Sequence, residues 1–124
     1  MKQPKLIEVK VIIEVDECVD LSYIDEDYKR MQQFIDGSVQ SLYINAKAVV
    51  IYSIGSGCSR LETLQSGGLG GVESDSGNDY IQEIITEQLE DLKTHLRIFN
   101  VNTSNFEELT EIAKEEVEKE YTFR

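Results

Sequence analysis

Leu42-Tyr43-Ile44-Asn45-Ala46-Lys47-Ala48-Val49-Val50-Ile51-Tyr52-Ser53-Ile54 is the stretch on which the reading of this chain turns. Taken alternately, Leu42, Ile44, Ala46, Ala48, Val50, Tyr52 and Ile54 make one unbroken apolar face. Tyr43, Asn45, Lys47, Val49, Ile51 and Ser53 make a mixed one. Successive side chains of a strand point to opposite sides, so this pattern predicts a long strand with one side against a core. Gly55-Ser56-Gly57 then supplies a turn, and Cys58 to Gln65 can return as an antiparallel partner. A three-residue loop containing glycine suits a bulged hairpin. Upstream, residues 6–15 repeat the alternation, with Val9, Val11, Ile13 and Val15 on one face and Glu8, Lys10 and Glu14 on the other. These segments predict a meander-like antiparallel sheet of three or more strands.

Helices fill the remaining chain. Residues 16–22 are polar and read as a loop. Ile24, Tyr28, Met31 and Ile35 recur at helical spacing with Phe34 alongside, and Gly37 is a suitable stop, which predicts a helix near 25–36. Ser66-Gly67-Gly68-Leu69-Gly70-Gly71 is too rich in glycine for a regular element and reads as an irregular loop. The longest helix follows Glu73-Ser74-Asp75-Ser76-Gly77-Asn78-Asp79, where Ser76 and Asp79 approximate a capping box. Its apolar stripe is Ile81, Ile84, Ile85, Leu89, Leu92 and Leu96, and Asn100 is a reasonable left-handed terminator. A last helix starts near Ser104, with Glu107 at capping-box spacing and Phe106, Leu109, Ile112, Ala113 and Val117 as its buried face. The expected class is α+β, in the order β-α-β-β-α-α, as a single domain over residues 1–124.

Composition narrows the function. A chain of 124 residues with 40% hydrophobic residues can build one ordinary core. No run of apolar residues is long enough to span a membrane. Met1-Lys2-Gln3-Pro4-Lys5 lacks the apolar region of a signal peptide, so a cytoplasmic location is expected. Cys18 and Cys58 match no metal spacing and read as free thiols in a reducing compartment. Charge is the outlying property: 24 acidic against 12 basic residues, a formal charge of −12. Such a surface repels phosphate backbones and anionic membranes, so neither nucleic acid nor lipid is an expected direct partner. It attracts basic protein surfaces and speeds their encounter. Acidity also serves plain solubility.

Catalytic patterns are weak. His95 is the single histidine, so any Ser-His-Asp or Cys-His site would have to use it. It falls late in the long helix beside the apolar stripe, where packing or a dipole contact accounts for it. Two distant cysteines and one histidine cannot close a zinc shell without carboxylates. The glycine segments lack the lysine of a P-loop and the parallel βαβ unit of a dinucleotide fold. Glu73 to Asp79 misses the calcium-loop register, because Asn78 stands where the glycine belongs. No enzyme activity, cofactor or metal ligand is expected.

What stands out is a surface pattern. From Glu73 to Asp91 the charged residues are Glu73, Asp75, Asp79, Glu83, Glu87, Glu90 and Asp91, with no base among them. Asp79, Glu83 and Glu87 recur every fourth residue and so share a helix face, about 6 Å apart, with Glu90 and Asp91 prolonging the row. Glu107, Glu111, Glu115 and Glu118 draw a similar line on the last helix, diluted by Lys114 and Lys119. A row of carboxylates at this spacing can imitate a nucleic-acid backbone and occupy a lysine- and arginine-rich groove. The plain alternative is two solvated helix faces.

Ser66-Gly67-Gly68-Leu69-Gly70-Gly71-Val72-Glu73-Ser74-Asp75-Ser76, followed by Asp79-Tyr80-Ile81 and Glu87-Gln88-Leu89, resembles a motif of an uncharacterised family of bacterial and phage proteins. Members often read Ser-Gly-Gly-Leu-Trp-Gly-Ile-Glu-Ser-Asp-Ser there, and Asp20-Leu21-Ser22-Tyr23-Ile24 is similar to a second stretch of theirs. This chain departs at Gly70, where the family tends to carry tryptophan. The resemblance implies an origin in mobile elements and a role in host–phage conflict, of the anti-CRISPR or anti-restriction type. The expectation is therefore an acidic, non-enzymatic inhibitor that covers a basic nucleic-acid-binding surface of a host defence complex, using Glu73, Asp75, Asp79, Glu83, Glu87, Glu90 and Asp91. Two other readings are open: an assembly protein forming a homo-oligomer, and a small-molecule or metal-binding domain built on residues 67–79.

Overall fold

The computed structural model describes residues 3–15 and 28–120. The polar segment at 16–22, Cys18, the Asp20-Leu21-Ser22-Tyr23-Ile24 stretch and the start of the first helix fall outside those residues. The elements run β1 (Lys5–Val15), α1 (Tyr28–Asp36), β2 (Ser41–Gly55), β3 (Cys58–Gln65), β4 (Leu69–Glu73), α2 (Asn78–Ile98) and α3 (Phe106–Glu120). The class is α+β: a four-stranded antiparallel sheet with α2 packed across β2 and α3 across β1. One strand more is present than the sequence reading supplies. It is β4, drawn from the glycine segment expected to be an irregular loop.

β2 is the centre of the sheet. β1 pairs along it from Lys5↔Ile51 to Val15↔Leu42. β3 pairs from Lys47↔Gln65 to Gly55↔Cys58, and β4 from Ser41↔Glu73 to Ile44↔Leu69. Since β1 occupies one edge of β2 throughout, β3 and β4 lie end to end along the other. The core side of β2 is as the alternation predicts for Leu42, Ile44, Ala46, Ala48 and Val50, all buried, whereas Ile54 falls at a register shift between Ser53 and Gly55 and is 61% exposed. In β1 the alternation is interrupted. Leu6 pairs with Val50 and Glu8 with Val49, so Ile7 is an extra residue that bulges outward. Leu6 and Val9, three positions apart, consequently both face the core, and Val15 at the strand end is left exposed.

The stripe of α2 is buried at every position read from the sequence: Ile81, Ile84, Ile85, Leu89, Leu92 and Leu96. Each such side chain contributes roughly 1.5–3 kcal/mol through its removal from water. On α3 the buried residues are Phe106, Thr110, Ala113 and Val117, with Leu109 packed at the margin. Ile112, expected inside, is exposed, because the inward face is centred on Thr110 and Ala113.

Helix and turn ends correct the sequence reading in three places. α2 is capped by the backbone of Gly77 at φ +99°, with no side-chain cap, so the Ser76–Asp79 box does not form. The Ser76 hydroxyl instead donates back to the Glu73 carbonyl at 2.7 Å. α3 begins after Asn105, whose side-chain amide donates to the Leu6 carbonyl at 2.9 Å, and Glu107 pairs with Lys93 at 3.0 Å, away from Ser104. In the β2–β3 hairpin, Gly55 stands opposite Cys58, leaving a two-residue turn of Ser56 (φ +53°) and Gly57 (φ +76°). That is the type I′ geometry, with the expected bulge placed at Ile54, the extra residue between the Ser53↔Ser59 and Gly55↔Cys58 pairs. Asn100 (φ +58°) does terminate α2 in the left-handed region, and the Val101 N–H reaches back to the Leu96 carbonyl at 2.9 Å.

Candidate functional site

The glycine segment is an integral piece of sheet. Gln65 is opposite Lys47 and Leu69 is opposite Ile44, so residues 66–68 stand against residues 45 and 46 with one residue to spare. This is a β-bulge. The Ser66 N–H donates to the Ala46 carbonyl at 2.8 Å, while the buried Ser66 hydroxyl accepts the Ala46 N–H at 2.8 Å. A hydroxyl both accepts and donates, so Ser66 can continue the ladder and still reach the helix above. It donates to Gln88 Oε1 at 2.6 Å, and the same oxygen accepts the Gly68 N–H at 2.8 Å. The Gly67 N–H donates to Asp91 Oδ2 at 2.8 Å. Gly68 sits at φ +77°, and a Cβ there would run into the Tyr43 ring. Serine at 66 joins the ladder to α2, and glycine at 68 is required by its positive φ and by the Tyr43 ring of β2.

The far end of β4 is closed in a similar way. The Ser74 N–H donates to the Gln40 carbonyl at 2.8 Å, and the Ser74 hydroxyl accepts the Gln40 N–H at 2.9 Å. Glu73 and Asp75 on either side both meet Arg30 of α1. Its guanidinium holds Asp75 with two nitrogens, at 2.7 and 2.6 Å, and Glu73 at 2.8 Å. It also lies 5.5 Å from the centre of the Phe34 ring. The hydrogen bonds from Arg30 hold the Asp75 carboxyl below the usual carboxylate range, and those carboxylates push the Arg30 guanidinium still higher than its ordinary value.

The seven acids singled out in the sequence therefore divide. Glu73 and Asp75 share the single guanidinium of Arg30 and tie α1 to the sheet. Asp91 accepts the bulge N–H and stands 3.7 Å from His95 Nδ1 at the edge of the stripe. Asp79, Glu83, Glu87 and Glu90 are exposed on the side of α2 opposite the buried stripe. Among the described residues, none of these last four is held in an ion pair. They span about 16 Å of helix at 1.5 Å per residue. The parallel line on α3 is less uniform, since Glu107 is matched by Lys93.

Sequence reasoning missed Arg30, Gln88 and Tyr43. Arg30 gives no local signal, being 43 and 45 positions from its partners. Gln88 could have been suspected as an uncharged polar residue among the acids on a helix covering a glycine run. A shallow open groove beside the bulge is bounded by Leu69, Val72, Ser76 and Tyr80, but the nearby Gly67 and Gly68 N–H groups already donate to Asp91 and Gln88 of α2 and are not open to an anion. Among the described residues no group of three or more His, Cys, Asp and Glu is placed to hold a metal ion, and Cys58 is an exposed thiol. No helix among them is long and apolar enough to cross a membrane. Comparison with protein-family models, curated proteins and solved structures gives no match, so the likeness read at residues 66–76 gains no support there.

Proposed function

We propose that the chain is a non-enzymatic binding protein that presents the outer face of α2 to a basic surface of a partner protein and keeps nucleic acid from that surface. The observation that carries this is the row Asp79, Glu83, Glu87 and Glu90, exposed and in no ion pair among the described residues, while the neighbouring acids Glu73, Asp75 and Asp91 each have a partner. Like charges four apart weaken a helix, and past the first turn the helix dipole gives no compensation. The row is thus an unfavourable arrangement for α2 alone and a favourable one for a cationic groove. Its steps of about 6 Å are comparable with the separation of neighbouring phosphates along a strand. The resemblance of residues 66–76 to bacterial and phage proteins favours a nucleic-acid-handling defence complex as the target.

The test is displacement. Fluorescent duplex DNA bound to a panel of restriction nucleases and CRISPR effector complexes is titrated with the protein and with its Glu83→Lys/Glu87→Lys variant at low and moderate salt. The native chain is expected to displace DNA from at least one complex, with an affinity that falls as salt rises. The variant should lose roughly tenfold or more in affinity and much of the salt dependence. An unchanged displacement curve in the variant, or no displacement anywhere on the panel, overturns the proposal. Both positions are exposed, so the variant should keep its folding stability to within about 0.5 kcal/mol.

A further inference from the structure

We propose that β3 is a self-association edge, at which two copies of the chain pair antiparallel about a two-fold axis through Leu61 and join their sheets into one. The outer edges of the sheet are unequal. β1 is covered at its Lys5–Leu6 end: Lys5 bridges to Asn102, the Asn102 N–H donates to the Pro4 carbonyl at 3.0 Å, and the Asn105 side-chain amide donates to the Leu6 carbonyl. β3 carries no such cover among the described residues. It pairs only with β2, runs from Ser59 to Gln65 without a register shift, contains no proline, and is exposed from Cys58 to Leu61. A long regular edge with unpaired N–H and C=O groups is a template for another strand, and natural chains ordinarily blunt it.

Charge selects the occupant and the register. A two-fold axis normal to the sheet keeps each face on its own side, so residues of like parity stand opposite one another. An axis at Arg60 would set arginine against arginine, and an axis at Glu62 would set glutamate against glutamate; like charges directly opposite are destabilising. The axis at Leu61 sets Arg60 against Glu62 of the second copy in both directions, and Ser59 against Thr63. It also places Leu61, 62% exposed in the single chain, against its own copy. Arg60 and Glu62 already meet at 2.8 Å within the strand, so two such pairs would merge into one alternating cluster. Opposing this, two chains of formal charge −12 repel at long range, a force that salt screens. The association should therefore strengthen as salt rises to about 0.5 M, where the Debye length is only a few ångström.

Sedimentation of the full chain over a wide concentration range, at low and high salt, tests the proposal. A monomer–dimer equilibrium is expected, with Leu61→Lys and the single reversals Arg60→Glu and Glu62→Arg each raising the dissociation constant about tenfold or more. The double variant Arg60→Glu/Glu62→Arg should recover the native value, since it restores opposite charges across the axis. In a background with Cys18 and Cys58 replaced by serine, Leu61→Cys should oxidise to a covalent dimer and Thr63→Cys should not. Circular dichroism checks that each variant is folded, as surface positions on an edge strand permit. A native chain that stays monomeric throughout, or a dimer indifferent to both charge reversals and their combination, overturns it. The surface is separate from the outer face of α2, so Glu83→Lys/Glu87→Lys should leave the dimer intact and either proposal can fail alone.

Discussion

Along one edge of β2, the half against β3 and the half against β4 are both antiparallel pairings, yet they hold together by different means. Against β3 the ladder is main chain to main chain from Ser59 to Gln65, and the side chains above it are largely exposed. Against the bulge and β4, side chains complete the ladder: the Ser66 and Ser74 hydroxyls accept backbone N–H groups, Gln88 and Asp91 reach down from α2, and Arg30 clamps the far end. The first half tolerates many sequences because every residue carries the same backbone groups. The second depends on particular side chains at particular places. A dense run of glycine, serine and acid can thus mark construction as much as recognition.

The comparison is broken most severely at Gly68. Gly68→Ala must adopt a positive φ and displace the Tyr43 ring, which should cost about 2–4 kcal/mol by urea denaturation, whereas Thr63→Ala on the β3 half should cost under about 1 kcal/mol. A Gly68→Ala variant as stable as the native chain would mean that the bulge is not held as described. A smaller effect is expected at Ser66. Ser66→Ala leaves the buried Ala46 N–H without its acceptor and should cost about 1–3 kcal/mol, with faster amide exchange at Ala46 as its local signature.

The smallest effect sharpens the contrast through pH. Arg30 holds Asp75 below its ordinary value, so the folded protein binds that proton less readily than the unfolded chain does. The contribution is complete above about pH 4, the unfolded carboxyl range, and is lost as pH falls through the lower folded value. Arg30→Ala should therefore cost about 1 kcal/mol at neutral pH, a figure kept low because Asp75 is partly open to solvent. The native and variant stability curves should converge under acid conditions, and a constant gap down to about pH 2 would show that the pair is not its source.

Much of this architecture is written in periodicity. The α2 stripe repeats cleanly at helical spacing, and the core side of β2 alternates over most of its length, so both are legible without coordinates. β4 is not, because Leu69-Gly70-Gly71-Val72-Glu73 has little strand propensity and owes its form to Ser41, Leu42 and Ile44, far back in the chain. The Ser76–Asp79 cap is absent for a local reason: the N-cap position falls one residue later, on Gly77, and the Ser76 hydroxyl is taken by the Glu73 carbonyl. The acidic row was half legible. Charge and spacing identify Asp79, Glu83, Glu87 and Glu90, but only the fold reveals that Glu73 and Asp75 meet an arginine from the other side of the sequence.

One property of β2 reaches beyond pairing. Its fifteen residues form the one strand with which every other described strand pairs, and none of those strands pairs with another. Such a layout has no redundancy: a chain that loses β2 loses the sheet entire, while a chain that keeps it can let a flanking strand go and take it back. Unfolding should accordingly divide into shallow excursions at the margins and a single all-or-none collapse whose hinge is this one segment.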